Sequence, residues 1–253
     1  MAALRIDVLT LFPEMFAGPL QAGLLGKALR EGLLTVELTQ IRDFATDKHR
    51  TVDDAPYGGG PGMVMKCEPL VAAAEGLRDR NSLERVVMLS PRGRSLTQAM
   101  IREWAAAPDL VLVCGRYEGI DERVAKALGA EEVSIGDYVL SGGEMPALVI
   151  IEALSRMIPG VVGNFESVET DSFYNGILGP PQYTRPQEFR GMEVPEVLRE
   201  GNHAVIERWR RKEAIRQTMR VRPDLLDRCA GDDTKLIREL KREQDAPLEG
   251  ETP

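Results

Sequence analysis

The sequence is poor in the side chains from which metal centres and covalent frameworks are built: 253 residues include three cysteines and two histidines. Cys67, Cys114 and Cys229 are far apart and odd in number, which excludes a disulfide framework and a Cys-x-x-Cys zinc site. They are expected to serve as small buried hydrophobes. His49 and His203 are also distant from one another, leaving few ways to build a His-rich metal centre or a histidine-based triad. Any general base is therefore expected to be a carboxylate. No apolar run approaches the length of a membrane span. The first residues, Met1 to Asp7, pass directly into an alternating pattern without the charged head and apolar stretch of a secretory signal. Together these absences lead to the expectation of a cytoplasmic globular protein with no membrane partner. Also missing are a Gly-x-Gly-x-x-Gly after a first strand and a Gly-x-x-x-x-Gly-Lys-Ser/Thr, so neither a Rossmann dinucleotide fingerprint nor a P-loop is supported.

What is present is an uneven charge distribution. The formal net charge is −8, which argues against a protein that coats nucleic acid indiscriminately. Yet the stretch Arg208–Arg222 holds seven basic residues (Arg208, Arg210, Arg211, Lys212, Arg216, Arg220 and Arg222) against one acid, Glu213. Apolar residues at Ile206, Trp209, Ile215 and Met219 suggest a helix docked on one side and cationic elsewhere. Contact with phosphates is the reading such a local excess favours over a solvated face.

Up to about residue 158, strand and helix patterns alternate, the signature of an α/β domain with a mainly parallel sheet covered on both faces. Strands are expected at Arg5–Phe12, Thr35–Phe44, Arg85–Ser90, Asp109–Cys114 and Glu131–Ile135, whose Val, Ile and Leu content suits the centre of a sheet. Helices are expected at Leu20–Leu33, Glu68–Arg80, Ser95–Ala107, Asp121–Leu128 and Met145–Ile158, with Pro146 in the first turn of the last. Residues 159–186 carry four prolines and four glycines and read as a linker or lid. Beyond them Glu196–Leu198, Val205–Arg220 and Thr234–Gln244 read as helices of a small second domain, and Asp245–Pro253 as a disordered tail. The expected division is 1–160, 161–186 and 187–253.

Three loops follow consecutive expected strands: Leu89-Ser90-Pro91-Arg92-Gly93, Cys114 to Asp121, and Ser134 to Glu144. In a parallel sheet all three leave the same edge, where open α/β sheets bind ligands and where glycines let backbone approach a ligand closely. Any one loop alone is better explained as a tight turn, but three together point to a small-molecule site. Tyr57-Gly58-Gly59-Gly60-Pro61-Gly62 lacks a phosphate-gripping lysine and reads by itself as a mobile loop. Lys48 to Asp54 reads as a solvated surface.

The stretches Arg50–Asp54, Gly58–Met63, Cys114–Arg123, Ser134–Glu144, Ile158-Pro159-Gly160, Asp171-Ser172-Phe173, Tyr183–Pro186, Gly191–Pro195 and Gly201-Asn202-His203 closely resemble, in order, those of the bacterial tRNA (guanine-N1-)-methyltransferase family. The resemblance runs from about residue 4 to residue 240. It implies a SPOUT fold, an α/β sheet whose C-terminal part forms a trefoil knot, followed by a helical domain; periodicity alone leads instead to an ordinary doubly wound sheet. It further implies a homodimer with a composite active site, tRNA rather than DNA as partner, S-adenosylmethionine as methyl donor, and a dependence on magnesium for which no motif supplies ligands. By motif position, cofactor contacts fall at Met88, Leu89, Pro91, Gly115, Tyr117, Glu118, Ser134, Ile135, Gly136, Asp137, Tyr138, Val139, Leu140, Gly142, Gly143 and Pro146, with Leu89, Ile135 and Leu140 lining an adenine pocket. The resemblance assigns Asp171 as general base and Arg156 as the group near guanine O6, and the reaction as methylation of N1 of the guanosine immediately 3′ of the anticodon. Gln182 departs from the family pattern, where histidine is common.

Overall fold

The computed structural model describes residues 4–229 and 231–245. Met1 to Ala3 and the greater part of the expected tail, 246–253, lie outside the described residues. The chain divides into two compact units, Met1–Phe165 and Glu166–Pro253.

The first unit is built on a five-stranded parallel sheet with the order β2-β1-β6-β5-β7, where β1 is Leu4–Thr10, β2 Leu34–Gln40, β5 Val86–Ser95, β6 Asp109–Cys114 and β7 Glu131–Ser134. Two short strands, β3 (Asp53–Asp54) and β4 (Val64–Met65), pair antiparallel apart from it. Six of the seven β1 residues are buried, as a central parallel strand covered on both faces requires. Successive residues of the central strands feed two separate cores. Ile6, Val8, Leu110 and Leu112 pack with α1 (Gly23–Arg30), α3 (Gln98–Ala105) and α5 (Glu144–Ser155) around Trp104, Ile150 and Leu154. Leu9, Val111, Val113 and Met88 pack with α2 (Cys67–Glu75) and α4 (Glu122–Leu128) around Leu70 and Val124.

Local chemistry sets the helix ends. Thr97 Oγ1 accepts from Met100 N at 3.3 Å to start α3, and Asp121 Oδ1 accepts from Arg123 N at 2.9 Å to start α4. The Arg123 side chain also donates to Asp121, which holds that carboxyl below the usual carboxylate range. Pro146 lies in the first turn of α5, where its missing N–H costs nothing.

The structure corrects several sequence expectations. The second strand ends at Gln40, because the Gln40 side chain accepts from Arg42 N and turns Ile41–Phe44 into a 3-10 helix. The expected helix from Leu20 is split, a 3-10 turn at Pro19–Gln21 preceding α1, because Gly23 takes a left-handed φ of +59°. Leu89 to Gly93 is not a loop after a finished strand. It is a bulged excursion inside β5, which pairs with β7 again at Arg94 and Ser95 after a register shift. Of the cysteines Cys114 is buried, and burial pushes its thiol well up, whereas Cys67 and Cys229 are half-buried.

The second unit contains α6 (Glu166–Glu169), a short hairpin of β8 (Glu188–Phe189) and β9 (Met192–Glu193), a 3-10 turn at Glu196–Leu198, and the helices α7 (His203–Val221) and α8 (Asp232–Asp245). The helix α6 falls inside the stretch expected to be a linker or lid without helix. α7 starts where the Asn202 side chain accepts from Val205 N. A small core of Ile177, Ala214, Ile215 and Leu240 joins the segment after α6 to α7 and α8. Leu178 N donates to Thr218 Oγ1 at 3.1 Å across the same junction.

Candidate active site

Because β5, β6 and β7 are parallel neighbours, their carboxyl ends open at one edge of the sheet, and there the chain forms a cavity of about 260 Å³. Of the sixteen residues assigned cofactor contacts, all but Asp137 line it. Met88, Leu89 and Pro91 come from the β5 excursion; Gly115, Tyr117 and Glu118 from the turn after β6; Ser134 to Leu140, Asp137 excepted, with Gly142, Gly143 and Pro146, from the passage between β7 and α5. Leu89, Val133, Ile135 and Leu140 are among its apolar lining residues, and Arg92, Arg116, Glu118, Glu122 and Glu132 among its charged ones.

The loops hold their shape through specific bonds. Buried Ser134 donates from Oγ to Gly136 O at 3.0 Å and accepts from Gly136 N at 3.2 Å, closing the turn at the end of β7. Gly136 has φ +152°, a conformation side-chain-bearing residues rarely adopt. Tyr117 takes a left-handed φ of +60° without being glycine, a local strain of the kind that collects at ligand sites. Just past the glycine-rich stretch Tyr57–Gly62 the chain docks on this wall: Glu118 N donates to Met63 O, Met65 N to Gly119 O and Asp121 N to Met65 O, all within 3.0 Å. Sequence reading also missed Arg116, Ile120 and Ser141 as wall residues. All three lie within loops already singled out, so the signal was present at the level of the loop.

Arg156 is the C-cap of α5, half-buried, in the first unit. Asp171 lies two residues past α6 in the second unit and is exposed, its backbone N donating to Val168 O.

The basic stretch forms α7, but its cations are not all turned to solvent. Arg211 Nε donates to Asp233 Oδ1 at 2.8 Å with a second bond from its other nitrogen to the same carboxylate, and Lys212 bridges Glu239 at 3.0 Å and Glu243 at 2.6 Å. Arg208 pairs with Glu239, and Arg216 with Glu213 and Glu243. The acids of α8 thus neutralise one side of α7. Among the described residues Arg210 and Arg220 bond within their own helix, to Glu207 and Gln217. Arg216 and Arg220 also line a second cavity of about 630 Å³, walled by Gly179, Pro180, Pro181, Glu213 and Gln217. On α8 the outward residues Lys235, Arg238, Lys241 and Arg242 are exposed.

Among the described residues no group of three or more His, Cys, Asp or Glu side chains converges to hold a metal ion. No described helix is long and apolar enough to cross a membrane.

Residues 4–228 match the model of the family described as tRNA (Guanine-1)-methyltransferase TrmD. A tRNA (guanine-N(1)-)-methyltransferase of Geobacter metallireducens is 52% identical over 240 residues, covering 94% of this chain and 98% of the relative. One from Anaeromyxobacter sp. is 57% identical over 232 residues (91% and 94%), and one from Moorella thermoacetica 51% over 245 residues (95% and 98%). With the match spanning both units and relatives about half identical over nearly the whole length, the chain belongs to the tRNA (guanine-1)-methyltransferase family.

Proposed function

We propose that this protein is a tRNA methyltransferase that methylates N1 of the guanosine immediately 3′ of the anticodon, with S-adenosylmethionine as donor. The observation that carries the reading is the cavity at the ends of β5, β6 and β7, lined by fifteen of the sixteen residues that motif position assigns to the cofactor. Its walls suit that molecule: Leu89, Ile135 and Leu140 offer an apolar slot for a flat purine, and the loop backbone offers donors and acceptors for ribose and amino-acid groups. Bound there, the donor supplies a methyl group on an electrophilic sulfonium.

The remaining chemistry falls to the chain. Guanine N1 carries a proton at neutral pH and becomes a nucleophile only as a base removes it. The Asp171 carboxylate takes that proton. As it leaves, negative charge grows on O6, and the Arg156 guanidinium stabilises it with donors whose charge does not titrate near neutral pH. Asp171 belongs to the glycine- and proline-rich segment 161–186, which acts as a lid that closes when tRNA arrives and excludes water. The guanine is extruded from its stack into the site, at a cost of roughly a few kcal/mol.

The tRNA backbone is held by the helices α7 and α8 of the second unit. Since α8 neutralises part of α7, phosphates meet the cations α7 leaves outward, Arg210 and Arg220 among them, together with the exposed basic residues of α8. The enzyme works as a homodimer, cofactor loops of one subunit facing the lid of the other. Supporting this, α5 leaves Met145 and Val149 exposed one turn apart, and Tyr138, Val139 and Leu140 in the passage before it are exposed as well, apolar surface that a partner would cover. The sheet carries the trefoil knot of SPOUT enzymes. In support, residues 134–143 return from the edge strand β7 to bond the β6 turn, Gly143 N donating to Gly115 O at 2.9 Å. The protein acts in the cytoplasm.

Asp171→Ala tests the assignment of the base. Binding of S-adenosylmethionine stays at the wild-type level while methyl transfer to tRNA falls by about two orders of magnitude or more. Loss of cofactor binding, or unchanged transfer, overturns the assignment.

A further inference from the structure

An ion pair of a half-buried guanidinium and a fully buried carboxylate lies at the wall of the cofactor cavity. Glu144, the first residue of α5, has no solvent exposure, and its Oε2 lies 3.0 Å from Nη2 of Arg116, on the turn after β6. Glu144 Oε1 accepts from Thr10 Oγ1 at 2.8 Å, and Thr10 Oγ1 in turn accepts from Phe12 N, so the carboxylate is anchored to the end of β1. The Arg116 guanidinium lies 4.4 Å over the Phe12 ring, and its Nη1 donates to Ser141 O. Arg116 also forms a backbone bridge with Gly142. A side chain at Gly142 has no room: its Cβ would lie 2.3 Å from Arg116 Nε and 2.7 Å from Glu144 Oε2. The pair is close but imperfectly aligned, since Glu144 Oε2 and Arg116 Nε, both buried, lack an aligned hydrogen bond among the described residues.

We infer that Arg116 and Glu144 are a positioning pair that fixes the spacing of two cofactor loops, the turn after β6 and the passage from β7 to α5. The inference rests on the cavity's being the S-adenosylmethionine site. Burying two charges is expensive, and an apolar pair of similar volume would serve stability as well or better. What an apolar pair could not supply is direction: one guanidinium binds Glu144, Ser141 O and the Phe12 face at once, tying both loops to the end of β1. Both loops line the cavity, so their separation sets its width and with it the fit of a ligand.

The test is equilibrium binding of S-adenosylmethionine to the full-length protein without tRNA, together with steady-state methyl transfer to tRNA. The variants are Glu144→Gln, Arg116→Lys, their double substitution, and Gly142→Ala. Each single variant is expected to weaken cofactor binding about tenfold and to raise KM for S-adenosylmethionine by a similar factor, with KM for tRNA unchanged. The double variant weakens binding no further than the worse single, since both remove one interaction. Arg116→Lys, which keeps the charge but not the fork, is the milder of the two pair variants. If Glu144→Gln does not fold, Gly142→Ala probes the same contact from the loop side. Variants that melt at lower temperature yet bind the cofactor like wild type would reduce the pair to a structural role and overturn the proposal. Failure of the wild-type protein to bind S-adenosylmethionine would instead overturn the reading of the cavity.

Discussion

Gly143 illustrates how tightly the site is built. A Cβ added there would lie 2.6 Å from the Cα of Cys114 and 3.0 Å from Gly115 N, backbone atoms that cannot rotate away. Gly143→Ala must therefore push the start of α5 from the end of β6, an overpacking cost of about 1–3 kcal/mol. A drop in melting temperature together with weaker S-adenosylmethionine binding is expected; wild-type values for both would mean the two segments separate freely. The residue scale was only partly legible in the sequence. Glycines in three loops marked the cavity, but nothing in Cys114 to Asp121 distinguished Arg116, whose importance arises from Glu144 and Thr10, residues 28 and 106 positions away that only the fold brings to it.

The helices α7 and α8 have to be read together. Charge counting along Arg208–Arg222 treats every cation as available to RNA, whereas α8 directs Asp233, Glu239 and Glu243 at Arg211, Lys212 and Arg216. The pairing was hidden because it joins residues 22 to 31 positions apart. Different substitutions should therefore separate two roles. Arg210→Gln with Arg220→Gln removes outward charge: tRNA binding weakens and the slope of log affinity against log salt becomes shallower by about 0.7–0.9 for each phosphate left without its cation, with the melting temperature near wild type. Arg211→Ala strips a half-buried carboxylate of its partner and lowers the melting temperature first. An unchanged salt slope in the first variant would leave the outer face of α7 as a solvated surface. The strands of the sheet were more legible, since buried parallel strands are continuous apolar runs. What escaped were the ends, where Gln40 and the β5 bulge impose turns through bonds that periodicity does not record.

At the scale of the whole molecule, an acidic chain acting on a polyanion localises its cations and repels misplaced RNA elsewhere. The proposed homodimer adds a requirement that one chain alone would not meet. Asp171→Ala and Gly136→Val, the latter blocking the cofactor turn, should each be inactive as homodimers. Mixed and reassembled in equal amounts, they should regain about one quarter of wild-type activity, because half the dimers are mixed and one of their two sites is intact. No recovery would argue for a site complete within each subunit. Neither threading nor subunit pairing leaves a periodic trace in a sequence, and both remain proposals that begin from family resemblance.

The central claim is the reaction and its position. Its most direct test is methyl incorporation from labelled S-adenosylmethionine into two tRNA transcripts that differ only in having guanosine or adenosine immediately 3′ of the anticodon. The account predicts label in the guanosine transcript alone, located at N1. Label in both transcripts, or in neither while S-adenosylmethionine and tRNA are both bound, would contradict it.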